Sequence, residues 1–139
     1  MKRYQYQLGY FAHSMQKYNT AEERHEYEFI KKNFYGTTIC PNKKIGEKGF
    51  MEPYLDIIRK VDVLFASEFK ECIGKGVHDE CRLALKMNIP VYVIKVKNNN
   101  YYFEKLRSLE IINERDYKRY AKLISKKYSP KKLPVVKRP

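Results

Sequence analysis

Glu80 is the side chain whose position in the sequence is best suited to chemistry. It follows the segment Gly74-Lys75-Gly76, which lies after an apolar run at 61–66 and opens a helical pattern. Two glycines between a buried strand and a helix are typical of a loop that presents backbone N–H groups to a phosphate or a sugar. We therefore expect this segment to bind substrate and Glu80 to act on it. A glutamate early in a helix can also simply complement the helix dipole.

The glycine segment does not match either of the two common phosphate-binding fingerprints. It lacks the third glycine of a dinucleotide-binding loop, and no Gly-Lys-Ser/Thr follows as in a Walker A loop. The evidence that this segment binds a ligand is its position between a predicted strand and a predicted helix.

Other polar residues are expected near the same place, because the carboxyl ends of parallel strands meet at one edge of a sheet. Tyr10 lies near the end of the first predicted strand and could orient a carboxylate. His13 and Ser14 follow that strand, and Ser67 follows the third. We expect these three to contact substrate, with Asp56 reaching the same edge from the preceding helix. A turn cap for Ser14 and an ordinary loop position for His13 are the alternatives.

Strand and helix patterns alternate along the chain. Strands are predicted at 4–12, 37–40, 61–66 and 89–94. Helices are predicted at 21–34, at 50–60, after the glycine segment as far as Asn88, and at 114–125. Residues 101–109, which follow a turn-prone asparagine triplet, fit either a short helix or an edge strand. The alternation predicts an α/β fold: a small doubly wound, Rossmann- or flavodoxin-like, mostly parallel sheet of four to five strands flanked by helices.

Several single residues carry local predictions. Gly9 inside the first strand indicates the close approach of another backbone or of a ligand. Asn19 or Thr20 should cap the first helix. Asp62 is expected at a turn or strand start, and Glu68 either approaches the site or is a solvated loop acid.

Length and charge limit the class of protein. The chain has 139 residues, which predicts one domain over 1–125, followed by an extended basic tail over 126–139 with six basic residues, three prolines and no acids. The net charge of +13 suits phosphorylated small molecules or nucleic acid. It could equally reflect a Lys-, Asn-, Ile- and Tyr-rich composition without a basic function. No apolar stretch suits a membrane span or a signal peptide, so we expect a cytoplasmic protein.

The cysteines and histidines predict no metal site. Cys40, Cys72 and Cys81 form no CxxC pair, and the three histidines show no ligand spacing with them. We expect reduced thiols, and neither a metal nor an organic cofactor.

Three segments resemble the nucleoside 2-deoxyribosyltransferase superfamily, which includes the deoxynucleoside 5′-monophosphate N-glycosidases. They are Gly9-Tyr10-Phe11-Ala12-His13-Ser14, Asp62-Val63-Leu64-Phe65-Ala66 and Gly76-Val77-His78-Asp79-Glu80-Cys81-Arg82-Leu83-Ala84-Leu85. The resemblance runs from about Leu8 to Ile94 and lies in pattern and order. It implies that Glu80 is a nucleophile that attacks the anomeric carbon and forms a glycosyl intermediate, with Tyr10 as its orienting residue. It also implies a homo-oligomer, a dimer or larger.

The chain departs from the pattern of that family on the side that handles the nucleobase. Gly74 and Lys75 stand where the family commonly has an acid, and Tyr54 aligns with an aspartate on the preceding helix. A lysine suits a phosphate better than a base, which favours a nucleotide over a nucleoside as substrate.

Three functions follow as hypotheses from different classes. The first is an N-glycosidase or deoxyribosyltransferase that acts on a nucleotide or nucleoside. The second is a non-catalytic nucleotide-binding module, a sensor or a sequestering protein. The third is a nucleic-acid-binding protein that uses the basic tail.

Overall fold

The computed structural model describes residues 7–14, 17–41, 52–68 and 73–108, together with Lys118 and Lys122. The strands are β1 (Leu8–Ala12), β2 (Thr37–Ile39), β3 (Val63–Ser67), β4 (Val91–Lys97) and β5 (Asn100–Leu106), and the helices are α1 (Ala21–Asn33), α2 (Glu52–Ile58) and α3 (Lys75–Lys86). They form an α/β fold in which one five-stranded sheet is flanked by helices.

The sheet has the strand order β2-β1-β3-β4-β5. The four strands β1 to β4 are mutually parallel, and β5 pairs antiparallel with β4. The predicted mostly parallel, doubly wound sheet is thus confirmed. Because the chain moves outward from β1 to β2 and then returns to β3, the order reverses between β1 and β3. In such sheets, ligands bind outside the carboxyl ends of the strands at this switch point.

The two faces of the sheet carry separate apolar cores, because successive residues of a strand point to opposite faces. Tyr10 and Ala12 of β1 belong to the core that α2 and α3 cover, which also contains Ile58 and Val77. Phe11 belongs to the core that α1 covers. One strand therefore supplies side chains to two different environments.

The second core is rich in aromatic rings, and this explains Gly9. A Cβ atom at Gly9 would lie 3.1 Å from the rings of both Phe34 and Phe65. These two rings pack edge to face with their centroids 5.2 Å apart. The close approach expected at Gly9 is therefore that of two aromatic side chains, and not that of a backbone or a ligand.

Helices α1 and α3 are capped as their sequences suggest. Of the two predicted capping residues of α1, Thr20 takes the role, and its hydroxyl accepts a hydrogen bond from the N–H of Glu23 at 3.2 Å. Helix α3 begins at Lys75, within the glycine segment that was expected to open it. It ends as expected next to Asn88, whose φ of 60° is the left-handed conformation common after a helix.

Within the undecided segment 101–109, residues 101–106 lie in the edge strand β5. Asn98 and Asn99 both have positive φ, of 52° and 63°, as the central residues of a type I′ hairpin require. Phe103 of β5 then packs on Phe29 of α1, with ring centroids 4.7 Å apart. The turn chemistry and this aromatic contact favour the strand over the short helix.

Some predictions lie partly or wholly outside the described residues: the start of the first strand, residues 50–51, most of the helix at 114–125 and the basic tail. Lys118 and Lys122 are helical. Within the part of the chain that the structure describes, no helix is long and apolar enough to cross a membrane.

Candidate active site

Tyr10 and Glu80 meet on the face of the sheet that α2 and α3 cover. Tyr10 lies in the middle of β1, and Glu80 lies in the second turn of α3. The Tyr10 hydroxyl donates a hydrogen bond of 2.6 Å to Oε2 of Glu80. The two residues are only 1% and 4% exposed. The structure therefore joins the two residues that the sequence suggested as a functional pair, although 70 positions separate them.

The electrostatics of this pair differ from those of surface groups. Burial raises the pKa of Glu80 to about 8, although the Tyr10 hydrogen bond lowers it and the neighbouring Asp79 charge raises it further. Burial and the Glu80 charge raise the pKa of Tyr10, so the phenol stays protonated and acts as a donor. At neutral pH, Glu80 of the free protein is therefore mostly a neutral acid.

Two further tyrosines extend this group. Tyr18, in the turn before α1, is hydrogen-bonded to Tyr54 of α2. Burial raises the pKa of Tyr18, and so do the neighbouring Tyr54 and Glu80. Tyr54 itself is 3% exposed. We call Tyr10, Tyr18, Tyr54 and Glu80 the tyrosine–glutamate cluster.

Sequence reasoning did not find Tyr18. Its place in the loop after β1 carries no spacing signal, and 13 tyrosines in the chain make any one of them inconspicuous. Tyr54 was noted only as a replacement for a family aspartate. The structure shows that it lines the same cluster.

The loop Gly74-Lys75-Gly76 starts α3 as expected. Gly74 is the N-cap residue and supplies no side-chain cap, and its carbonyl accepts the N–H of His78 at 2.8 Å. Lys75 is exposed, whereas Glu80, less than two turns later, is buried. An exposed cation thus stands at the N-terminal end of the helix that carries the buried acid.

His13 and Ser67 lie on the opposite face of the sheet. Nε2 of His13 contacts Oε2 of Glu23 in α1 at 2.6 Å. Ser67 donates to Oε1 of Glu26 at 2.6 Å and accepts from Nζ of Lys17 at 2.7 Å. The structure thus does not bring these two residues to Glu80. The alternation of side chains along a strand turns positions 13 and 67 toward α1.

Three other residues have roles that their surroundings define. Asp56 is exposed on α2 and pairs with Arg59 at 2.6 Å, so it is not joined to the tyrosine–glutamate cluster. Ser14 is half-buried in a turn, and its carbonyl accepts the N–H of Lys17 at 2.9 Å. Asp62, expected at a strand start, accepts the backbone N–H of Leu8 at 3.0 Å.

Glu68 is neither a solvated acid nor part of the cluster. Its carboxylate pairs with Nζ of Lys95 at 2.9 Å, and its side chain is only 13% exposed. Its carbonyl accepts from Nζ of Lys17 at 3.0 Å. It therefore belongs with the polar groups around α1.

The described cysteines are not activated nucleophiles. Burial raises the pKa of Cys81, and the Glu80 charge adds to this. Burial also raises the pKa of Cys40 to about 12, helped by Glu23. Cys40 does belong to a group of metal-ligand side chains: its Sγ, one nitrogen of His13 and one oxygen of Glu23 all lie within 4.8 Å of one another. The sequence spacing of these three residues gave no hint of this.

Comparison of the chain with protein-family models, with curated proteins and with solved structures finds no match.

Proposed function

We propose that the protein is an N-glycosidase or deoxyribosyltransferase that cleaves the N-glycosidic bond of a nucleotide or nucleoside, with Glu80 as nucleophile. The observation that carries this proposal is the buried 2.6 Å hydrogen bond from Tyr10 to Glu80 beside the switch point of the sheet. Burying an acid costs stability, and a residue that carries such a cost is often kept for function. Its place where doubly wound sheets bind ligands favours use.

The proposed reaction needs few groups. The ionised Glu80 attacks the anomeric carbon as the bond to the base breaks, and the leaving base takes up a proton from water. Water, or a second base, then attacks the glycosyl ester and frees the carboxylate. Tyr10 holds one carboxylate oxygen throughout, which fixes the group and leaves the other oxygen to react.

The pKa of Glu80 sets the pH dependence of this reaction. A nucleophile must be ionised, and in the free protein Glu80 loses its proton at a pH of about 8. We expect kcat/KM to rise about tenfold per pH unit below that value, because kcat/KM reports the ionisation of the free enzyme. A profile that is already flat at pH 6 contradicts Glu80 as the nucleophile.

A nucleotide is the favoured substrate. The exposed Lys75 and the backbone N–H groups at the start of α3 suit a phosphate, because a helix N-terminus attracts anions. A phosphate bound there would bring the sugar toward the same end of α3 that carries Glu80. Replacing Lys75 with a neutral residue should then raise KM for a nucleotide more than for the matching nucleoside.

A nucleotide-binding module without catalysis is the second candidate. It is favoured by the buried Tyr54 at the place where the family has an aspartate to handle the base, and by the proton that Glu80 keeps at neutral pH. Such a module would bind nucleotides without releasing base.

Chromatography of free base distinguishes these functions. The protein is incubated with a panel of nucleoside monophosphates and deoxynucleosides at about pH 8, beside Glu80→Gln and the matched control Glu104→Gln on β5. Base release by the wild type and by the control, and none by Glu80→Gln, supports the glycosidase. Thermal shifts with nucleotides but no release support the binding module. Release of free base by Glu80→Gln at the wild-type rate would rule out Glu80 as the nucleophile.

The homo-oligomer is part of the proposal as well. Sedimentation velocity measures it directly, and a monomer at all concentrations would contradict it.

A further inference from the structure

We propose that His13, Glu23 and Cys40 form a binding site for Zn²⁺ on the α1 face of the sheet. One ligand atom from each residue lies within 4.8 Å of the other two. The three residues come from different elements: the end of β1, the first turn of α1, and the position after β2. Cys40 reaches the group because β2 pairs parallel with β1, with Ile39 opposite Tyr10.

The hydrogen bonds of His13 orient its Nε2 toward Glu23. Nδ1 of His13 lies 3.0 Å from the carbonyl oxygen of Phe11, so it must carry a proton and donate it. Nε2 then faces Oε2 of Glu23 at 2.6 Å. Two lone pairs cannot face each other at that distance, so a proton lies between them. Zn²⁺ would replace this proton once the two atoms move apart to about 3.3 Å.

The surroundings of the ligands match those of known zinc sites. A zinc-bound histidine usually donates its other N–H to a backbone carbonyl, as Nδ1 does here to Phe11. Oε1 of Glu23 accepts the backbone N–H of Asn19 at 2.9 Å, which leaves Oε2 for the ion. His13 is held in place by stacking on Phe11, with ring centroids 4.2 Å apart.

The donor set selects the metal. One nitrogen, one carboxylate oxygen and one thiolate suit Zn²⁺, whereas Mg²⁺ and Ca²⁺ prefer oxygen alone. Zinc–ligand bonds of about 2.0 to 2.3 Å place the ligand atoms roughly 3.3 to 3.8 Å apart around a tetrahedral ion. To reach that spacing, Nε2 of His13 and Oε2 of Glu23 must move apart from 2.6 Å, and the thiolate must lie within the same range of both. Binding releases the proton between His13 and Glu23 and the thiol proton of Cys40 to solvent.

Three protein ligands leave the fourth tetrahedral position to water or to another ligand. Cys40 is only half-buried, which gives an ion access to the otherwise buried His13 and Glu23. The ring of Tyr18 lies 5.0 Å from that of His13, and Tyr18 is hydrogen-bonded to Tyr54 of the tyrosine–glutamate cluster. The zinc site would thus lie one residue from the candidate active site.

The test uses the full chain after chelator treatment and dialysis. Titration with Zn²⁺ against a chromophoric chelator gives the stoichiometry and affinity, and Co²⁺ gives a near-ultraviolet charge-transfer band when a thiolate binds it. We expect one ion per chain. Cys40→Ser should remove the band and weaken Zn²⁺ binding by more than the roughly 10- to 100-fold that loss of a supporting residue costs.

Controls separate the site from other thiols and from misfolding. Cys72→Ser and Cys81→Ala keep all three ligands and should bind one ion with the wild-type affinity. Cys40→Ser is nearly isosteric at a half-buried position, and its circular dichroism should match that of the wild type. His13→Gln provides a second ligand variant. No stoichiometric binding by the wild type, or unchanged binding by Cys40→Ser, would overturn the proposal and leave His13 and Glu23 as a proton-sharing pair. Neither outcome depends on glycosidase activity.

Discussion

Glu80→Gln should stabilise the protein, and increasingly so as the pH rises. Glutamine has almost the same shape as glutamic acid and stays neutral, and its amide oxygen can accept the Tyr10 hydrogen bond. The variant therefore removes the ionisation of Glu80 and little else. A residue that is kept for chemistry at a cost in stability should behave in this way.

The magnitude follows from the pKa of Glu80, which is about 8 in the folded protein against a reference value of 4.5. Below pH 4.5 both the folded and the unfolded chain hold the proton. Between the two values only the unfolded chain releases it, so the free energy of unfolding falls by about 1.4 kcal/mol per pH unit. Above pH 8 the free energy of unfolding falls no further, and its total decrease is on the order of 5 kcal/mol. Since Glu80 is 4% exposed, solvent screens little of this.

Urea denaturation followed by circular dichroism measures the effect. The quantity is the free energy of unfolding of Glu80→Gln minus that of the wild type. Between about pH 5.5 and pH 7.5 this difference should grow by roughly 2 to 3 kcal/mol in favour of the variant. Titrating groups that do not interact with Glu80 affect both proteins equally and cancel.

The matched control is Glu28→Gln on α1. Glu28 is exposed, and the neighbouring Lys31 lowers its pKa, so this variant cannot gain stability as the pH rises. A Glu80→Gln difference that stays constant within about 0.5 kcal/mol over the pH range would refute the reasoning. Glu80 would then ionise as a surface acid does.

Three further changes test the fold. Gly9→Ala should lower the free energy of unfolding, measured by urea denaturation, by about 1 to 3 kcal/mol, because its Cβ would lie 3.1 Å from two aromatic rings. An unchanged free energy of unfolding would contradict this packing. Nζ of Lys17 lies 3.2 Å from the buried carboxylate of Glu26. Lys17→Met leaves that carboxylate without its cation and should lower the free energy of unfolding by about 3 to 5 kcal/mol. In a double-mutant cycle, adding Glu26→Gln should recover part of the lost free energy of unfolding. Strictly additive changes would show that Lys17 and Glu26 are not coupled. Asn88→Ala should lower the thermal midpoint, and Asn88→Gly should not, because φ is 60° there.

Local signals in the sequence were enough to predict the fold class. Buried strands alternate with capped helices, and right-handed crossovers permit few arrangements of such a chain. The capping of α1 by Thr20 and the end of α3 at Asn88 depend on neighbouring residues alone, so they could also be predicted. The structure of segment 101–109 could not be predicted in this way. The contact that favours a strand there is with Phe29, a residue of α1 that is distant in sequence.

The candidate site was only partly predictable. Tyr10 and Glu80 could be paired because the topology of a parallel sheet brings the loop after β3 next to β1. His13 and Ser67 were expected at the same site because they follow strands, but which face a residue occupies depends on the register of the strand. In both cases the register turned the side chain toward α1.

The sequence by itself determined the order of strands and helices, the glycine loop before Glu80 and the strong positive charge, because these depend on residue type and local spacing. Only the tertiary structure decided which polar residues share a face of the sheet. It separated Tyr10 and Glu80 from His13, and it brought Glu23 and Cys40 to His13 from two other elements. The physical reason is that burial and contact distance depend on how the elements pack. These two quantities raise the pKa of Glu80 and join His13 to Glu23 through a 2.6 Å hydrogen bond.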